Sequence, residues 1–162
     1  MLKKKSFSSI NSIDLIKIIL IKYNNRFKKN KLINNSKSHL TTIIILLMYI
    51  VEWKYILEYE KPLSNINWTR NGFMTYSTYL NEYNFVFSNL TNLEVVLSDD
   101  VIKCIDFALD KYEKLEFKYT KLVHLCFSTY PCIVSKNNTK VNLLSLSKQY
   151  KSEYNYSKTI NI

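Results

Sequence analysis

The densest gathering of nucleophile and base types in the chain is Lys121, His124, Cys126 and Ser128. A cysteine nucleophile needs a base within hydrogen-bond reach and a third group to orient that base. The segment reads as helix, where residues i and i+2 project to different sides, so His124 and Cys126 do not face each other. They are expected to be a structural histidine and a buried thiol. Asp99–Asp100 and Asp106–Asp110 are the other pairs with chemical potential, since grouped carboxylates hold Mg²⁺. The first pair follows Ser98, where acids suit the positive end of a helix; the second is an i, i+4 pair on that helix's outer side. Both are expected to be solvated carboxylates. Three cysteines, Cys104, Cys126 and Cys132, form no C-x-x-C spacing, and His39 and His124 are the only histidines. Neither a disulfide framework nor a zinc cage is signalled, and the thiols are expected to be buried and reduced. With one glycine, Gly72, no Gly-rich phosphate loop can form. These residues therefore predict no catalytic set, no metal and no cofactor, and the chain is expected not to be an enzyme.

Binding is the chemistry left to the side chains. Thirteen tyrosines, eight phenylalanines and two tryptophans are present. Aromatics interleaved with lysine can stack on single-stranded nucleic acid, and they are also what protein interfaces enrich together with arginine. Trp68, Arg70, Asn71, Phe73 and Tyr76, with Tyr79 just beyond, gather around Asn71–Gly72, the strongest turn signal in the chain. These five are the candidate partner-binding residues, because a Trp/Arg/Tyr-rich cluster on a turn has the composition of a hot spot. The competing expectation is that Trp68 and Tyr76 pack the turn against the core.

Helical spacing dominates the elements that must position these residues. Ser12 is placed to cap a helix to about Tyr23 or Phe27, with Ile13, Ile16, Ile19, Leu20, Tyr23 and Phe27 in register. Asn30–Ser38 reads as loop. A dominant helix follows over roughly 39–60, apolar all round at Ile43–Val51, which places it at the centre of a bundle. Glu52 and Lys54 end that apolar run, and Pro62 stops the helix. Residues 65–76 read either as a hairpin with a type I′ turn or as a strand turning into a helix from about 74 to 83. Phe85–Phe87 and Leu93–Leu97 are candidate short strands. Ser98 is expected to cap a helix burying Val101, Ile105, Ala108, Leu109 and Tyr112. A shorter helix is expected over 116–128 with Leu122, Val123, Cys126 and Phe127 inward, ended by Tyr130–Pro131. Asn142 is placed to cap a last helix through Tyr150, with Leu143, Leu144 and Leu146 inward. The expected fold is mainly α: one domain of about five to six helices with a small β-hairpin or a short two- to three-stranded β element. Residues 1–37 are expected to form a basic helix and loop, part of or appended to the domain at 38–152, and 153–162 a frayed tail.

The formal net charge is +10, and residues 1–40 carry ten Lys/Arg against one acid, Asp14. Residues 41–162 are close to neutral, with thirteen basic and twelve acidic side chains. A Lys-rich arm of this kind reads first as a solvated extension, and it can also hold nucleic acid or an acidic partner. Lys3–Lys5 are followed by no small-residue cleavage site, and Ile43–Val51 is about half the length that spans a bilayer. Both features point to a soluble, cytoplasmic protein with no membrane partner.

Two segments resemble the Panacea-domain (SocA-like) antitoxin family. Ile44-Ile45-Leu46-Leu47-Met48-Tyr49-Ile50-Val51-Glu52-Trp53, followed by Tyr59-Glu60-Lys61-Pro62-Leu63 and Trp68, is similar to the family's opening "K-L-L-Y-x-A-D-W" helix, its "G-x-P-L" step and an aromatic before a turn. Lys111-Tyr112-Glu113-Lys114-Leu115, Leu122-Val123-His124 and Ser128-Thr129-Tyr130-Pro131 resemble its Tyr-ending helix, its "L-x-H" helix and its closing "S-T-x-P". The match spans about residues 38–150. Asn71-Gly72-Phe73 stands where the family usually has His-Gly-Pro, and Cys132 where it usually has Trp. The resemblance implies a helical fold with a small β element, and an antitoxin that neutralises a cognate protein toxin by direct binding. Some relatives instead deliver the toxin to a protease. The reading of a different class is a nucleic-acid-binding regulator encoded on a mobile element and using residues 1–40.

Overall fold

The computed structural model describes residues 9–27, 37–76, 78–88 and 97–154. Among them are seven helices and one small sheet, so the fold is mainly α with a small β element. The helices are α1 (Ser12–Phe27), α2 (Lys37–Tyr59), α3 (Tyr79–Ser88), α4 (Asp99–Lys114), α5 (Tyr119–Phe127), α6 (Tyr130–Val134) and α7 (Leu143–Tyr154). Strands β1 (Trp68–Asn71), β2 (Phe73–Thr75) and β3 (Thr139–Val141) form an antiparallel sheet in the order β2-β1-β3.

Helix α2 is the axis. Ile43 to Leu47 are all buried, as are Met48, Tyr49, Val51 and Leu57, and α1, α4, α5 and α7 pack around them. A helix apolar on every face is stable in water only when neighbours cover it on every side. His39–Tyr59 is long and apolar enough to cross a membrane, but 83% of its most apolar 18-residue window is buried inside the fold. Glu52 ends the apolar run of the sequence, but the buried stretch continues past it to Leu57. Glu52 is itself buried, in the middle of α2. The helix stops where Glu60 turns left-handed (φ 55°), two residues before Pro62.

Helix α1 lays Leu15, Ile16, Ile18, Ile19, Leu20, Tyr23 and Phe27 into the same core. Its cap is Asn11, whose Oδ1 accepts the Asp14 amide at 2.8 Å, while the expected cap residue, Ser12, donates instead to Glu82 at 2.7 Å. Asp106 and Asp110 are not simply solvated. Lys22 meets Asp106 at 2.9 Å, and Arg26 bridges Asp110 and Glu113. Part of the basic character of residues 1–40 therefore clips α1 to α4. At this exposure each pair contributes well under about 1 kcal/mol.

Helix α4 buries Val101, Ile105, Ala108, Leu109 and Tyr112 as expected, with Cys104 beside them. Ser98 has N-cap backbone geometry, but its hydroxyl makes no cap bond, which corrects the expected side-chain cap. After α4 the chain turns sharply through left-handed Glu116 (φ 57°) and Phe117 (φ 58°), so the next helix starts at Tyr119 rather than 116. Leu122 and Cys126 point inward, whereas Phe127 is exposed, contrary to expectation. Phe85–Phe87 lies in α3 and is not a strand. Residues 93–96 of the other expected strand, most of the Asn30–Ser38 loop and residues 155–162 of the expected tail lie outside the described residues, whereas Glu153 and Tyr154, placed in that tail, are the last residues of α7. Asn142 caps α7 as expected, accepting the Ser145 amide at 2.9 Å.

Candidate partner-binding surface

Residues 68–75 form the hairpin, which is the first of the two expectations; the second, a helix from about 74, is overturned, because Phe73–Thr75 is strand β2 and the helix begins only at Tyr79. The turn is not type I′. Asn71 pairs directly with Phe73, and only Gly72 has positive φ (72°). A Cβ at Gly72 meets no atom within 4 Å, so strain alone decides the substitution. Gly72→Ala is expected to lower stability by about 1 kcal/mol, read as the shift of a urea unfolding midpoint.

Of the five candidate binding residues, Trp68 (2% exposed) and Tyr76 (4%) are core residues, which corrects their assignment to a contact surface. Trp68 sits edge-on between Tyr49 and Tyr76, with ring centroids 5.7 Å away on each side. Burial and the facing Glu82 carboxylate push the Tyr76 hydroxyl's pKa upward. Arg70 is half-buried and donates to the Ser135 carbonyl. Asn71 is exposed and Phe73 half-buried.

The hairpin tip is tied to the segment after α6. Gly72 N–H donates to Asn137 Oδ1 at 2.7 Å, and Asn138 N–H donates to the Arg70 carbonyl at 2.6 Å. Immediately before this clamp, α6 presents Ile133 (67% exposed) and Val134, and α5 ends in exposed Phe127. Sequence reasoning missed this apolar ledge. Its signal was Ile133–Val134, an apolar pair just beyond the proline that stops a helical register. Arg70, Asn71 and Phe73 thus lie on a stiff hairpin joined to the ledge, with Trp68 and Tyr76 bracing it from beneath.

A second feature lies where the chain returns from α2. Glu52 Oε1 accepts the amide protons of Leu63 (3.1 Å) and Ser64 (3.2 Å), and its Oε2 accepts the Ser64 hydroxyl at 2.8 Å. Burial raises this carboxyl from 4.5 to about 7, against the opposing pull of the Ser64 and Leu63 hydrogen bonds. The same segment receives the chain before α1, since Ile10 N–H donates to the Leu63 carbonyl at 2.9 Å. Glu52, Ser64, Trp68, Lys140 and Asn142 are among the walls of a cavity of about 390 Å³ beside it.

The residues considered for catalysis are not assembled. His124 is exposed, while Cys126 is fully buried with its thiol 4.0 Å from the Leu46 carbonyl, and desolvation raises its pKa. His39 stacks on Tyr119 at 5.2 Å. All three cysteines are free and buried. Among the described residues no group of three or more His, Cys, Asp or Glu side chains could hold a metal ion.

Compared with protein-family models, curated proteins and solved structures, the chain matches none of them.

Proposed function

We propose that the chain is a binding module of the Panacea-like antitoxin type, which neutralises a cognate protein toxin by direct contact. The observation that carries this reading is the meeting of the motif segments. Glu52, at the acidic position of the first motif, holds the Pro62-Leu63-Ser64 step that follows it. Tyr49 of the same motif meets Thr129 of the closing motif at 2.5 Å. The Thr129 hydroxyl donates to the Cys126 carbonyl at 2.6 Å, so Tyr49 is the donor to Thr129. Residues quoted from distant parts of the sequence thus act as one scaffold, which presents the hairpin tip and the α6 ledge outward. Apolar side chains beside polar, clamped backbone have the composition of an interface centre.

Co-expression with the product of the adjacent reading frame should restore growth and yield a stable complex. Survival of the toxin's effect with no complex formed would defeat the proposal, and loss of the toxin only in protease-competent cells would assign the chain to delivery instead. Ile133→Asp and Val134→Asp together should abolish rescue and complex formation while leaving the thermal midpoint within about 2 °C, because exposed substitutions rarely change stability much. If rescue persists in that double variant, the ledge is not the contact.

A further inference from the structure

The near-neutral charge of residues 41–162 hides a segregation. Residues 41–116 carry eleven acids against six Lys/Arg, whereas residues 117–152 carry six lysines and no acid. Of those six, Lys118 and Lys121 pair with Glu116, and Lys151 pairs with Glu60. Lys136, Lys140 and Lys148 are exposed and form no ion pair with another described residue. Lys136 and Lys140 line one groove together with Ser145 and Leu146 of α7, the helix that carries Lys148. Lys140 is the outward residue of β3, Lys136 precedes that strand, and Lys148 stands on α7, three residues beyond Ser145.

Strand β3 is an edge of the sheet, paired among the described residues only with β1. Its free side offers main-chain N–H and C=O groups in strand spacing. Alongside runs an open groove of about 320 Å³ formed by Ser135, Lys136, Thr139, Lys140, Val141, Asn142, Ser145 and Leu146. We propose that this edge receives an extended, acidic segment of a partner protein, which adds as a fourth strand beside β3 with its carboxylates against Lys136, Lys140 and Lys148. Main-chain bonding supplies affinity in such additions, and side-chain complementarity supplies register and choice of partner.

The charge pattern selects this occupant. A second copy pairing edge to edge would set Lys140 against Lys140. A nucleic acid would answer the ammonium groups but leave the strand's main-chain donors and acceptors unmatched. The inference deepens the protein-binding reading by naming the chemistry of the partner segment.

The test uses the full chain and a short fluorescein-labelled synthetic peptide of alternating glutamate and valine, followed by fluorescence anisotropy. Binding is expected, weakening as salt rises. It should fall about tenfold or more in the K136E/K140E/K148E variant, as loss of three rim ion pairs implies. It should also be lost when alternate peptide amides are N-methylated. Circular dichroism of the variant establishes that it is folded. No binding, undiminished binding of the methylated peptide, or undiminished binding by the triple variant would each overturn the inference. A single-stranded oligonucleotide of equal charge binding better than the peptide, with the same lysine dependence, would assign the site to nucleic acid. The titration needs no toxin, so it can fail while growth rescue succeeds, and the reverse.

Discussion

Trp68→Ala is expected to destabilise the protein by about 3–5 kcal/mol, enough to unfold much of the population at 37 °C. The indole is fully enclosed and touches both Tyr49 on the central helix and Tyr76 at the exit of the hairpin, so its removal empties the joint between helix and sheet. Trp68→Phe keeps an aromatic edge between the two tyrosines and should lose only about 1–2 kcal/mol, since volume is largely kept. The measurement is a urea unfolding midpoint for each variant, beside a binding assay with the partner. A contact-surface tryptophan would behave in the opposite way, leaving stability intact while removing binding. That outcome would return Trp68 to the interface.

This residue shows what the sequence could and could not disclose. A Trp/Arg/Phe/Tyr cluster around a turn has the composition both of a hot spot and of a hairpin's hydrophobic underside, and spacing alone does not separate them. Helices α2, α4 and α7 were legible because each has a local signature. Ile43–Val51 is apolar on all faces, Val101 to Tyr112 repeats at helical spacing, Asn142 precedes Leu143, and Pro62 follows the axis. Strand β3 had none. Thr139-Lys140-Val141 is extended because β1, some seventy residues earlier, pairs with it at Trp68↔Val141, Thr69↔Lys140 and Arg70↔Thr139. The turns were equally opaque. Of the non-glycine residues with positive φ, Asn138 is of the type that tolerates it, but Glu60, Glu116 and Phe117 are not. Helix-end hydrogen bonds accompany these three: Glu60 N–H donates to the Ile56 carbonyl, Glu116 N–H to the Glu113 carbonyl and Phe117 N–H to the Tyr112 carbonyl, while Tyr112 O–H donates to the Phe117 carbonyl. The start of α5 moved by three residues as a result. Among the binding candidates, Arg70, Asn71 and Phe73 remain at or near the surface, while Ile133 and Val134 went unnoticed because α6 is too short to show a period.

Glu52 is the residue whose role was least visible and whose replacement tells most about the scaffold. Read along the sequence, it ends an apolar run; in the fold, it is the buried acceptor for two amides and a hydroxyl. Glu52→Ala should cost about 2–4 kcal/mol, because both amides lose their partner, although the neighbouring cavity gives water a way to replace part of what is lost. Glu52→Gln keeps a carbonyl oxygen for the Leu63 and Ser64 amides and turns its NH₂ toward the Ser64 oxygen. The pH dependence separates charge from hydrogen bonding. The folded carboxyl holds its proton more tightly than the unfolded one, with its pKa raised from 4.5 to about 7. Its stabilising contribution is therefore fully present below pH about 4.5 and lost as pH rises through about 7. The stability of Glu52→Gln relative to the natural chain should grow by up to about 3 kcal/mol across that interval and stay level above it. Urea midpoints at intervals from about pH 4 to pH 8.5 measure it. A difference that stays flat with pH would mean that the carboxylate is as well solvated in the fold as in water, and that it holds the Pro62-Leu63-Ser64 step without strain from its charge.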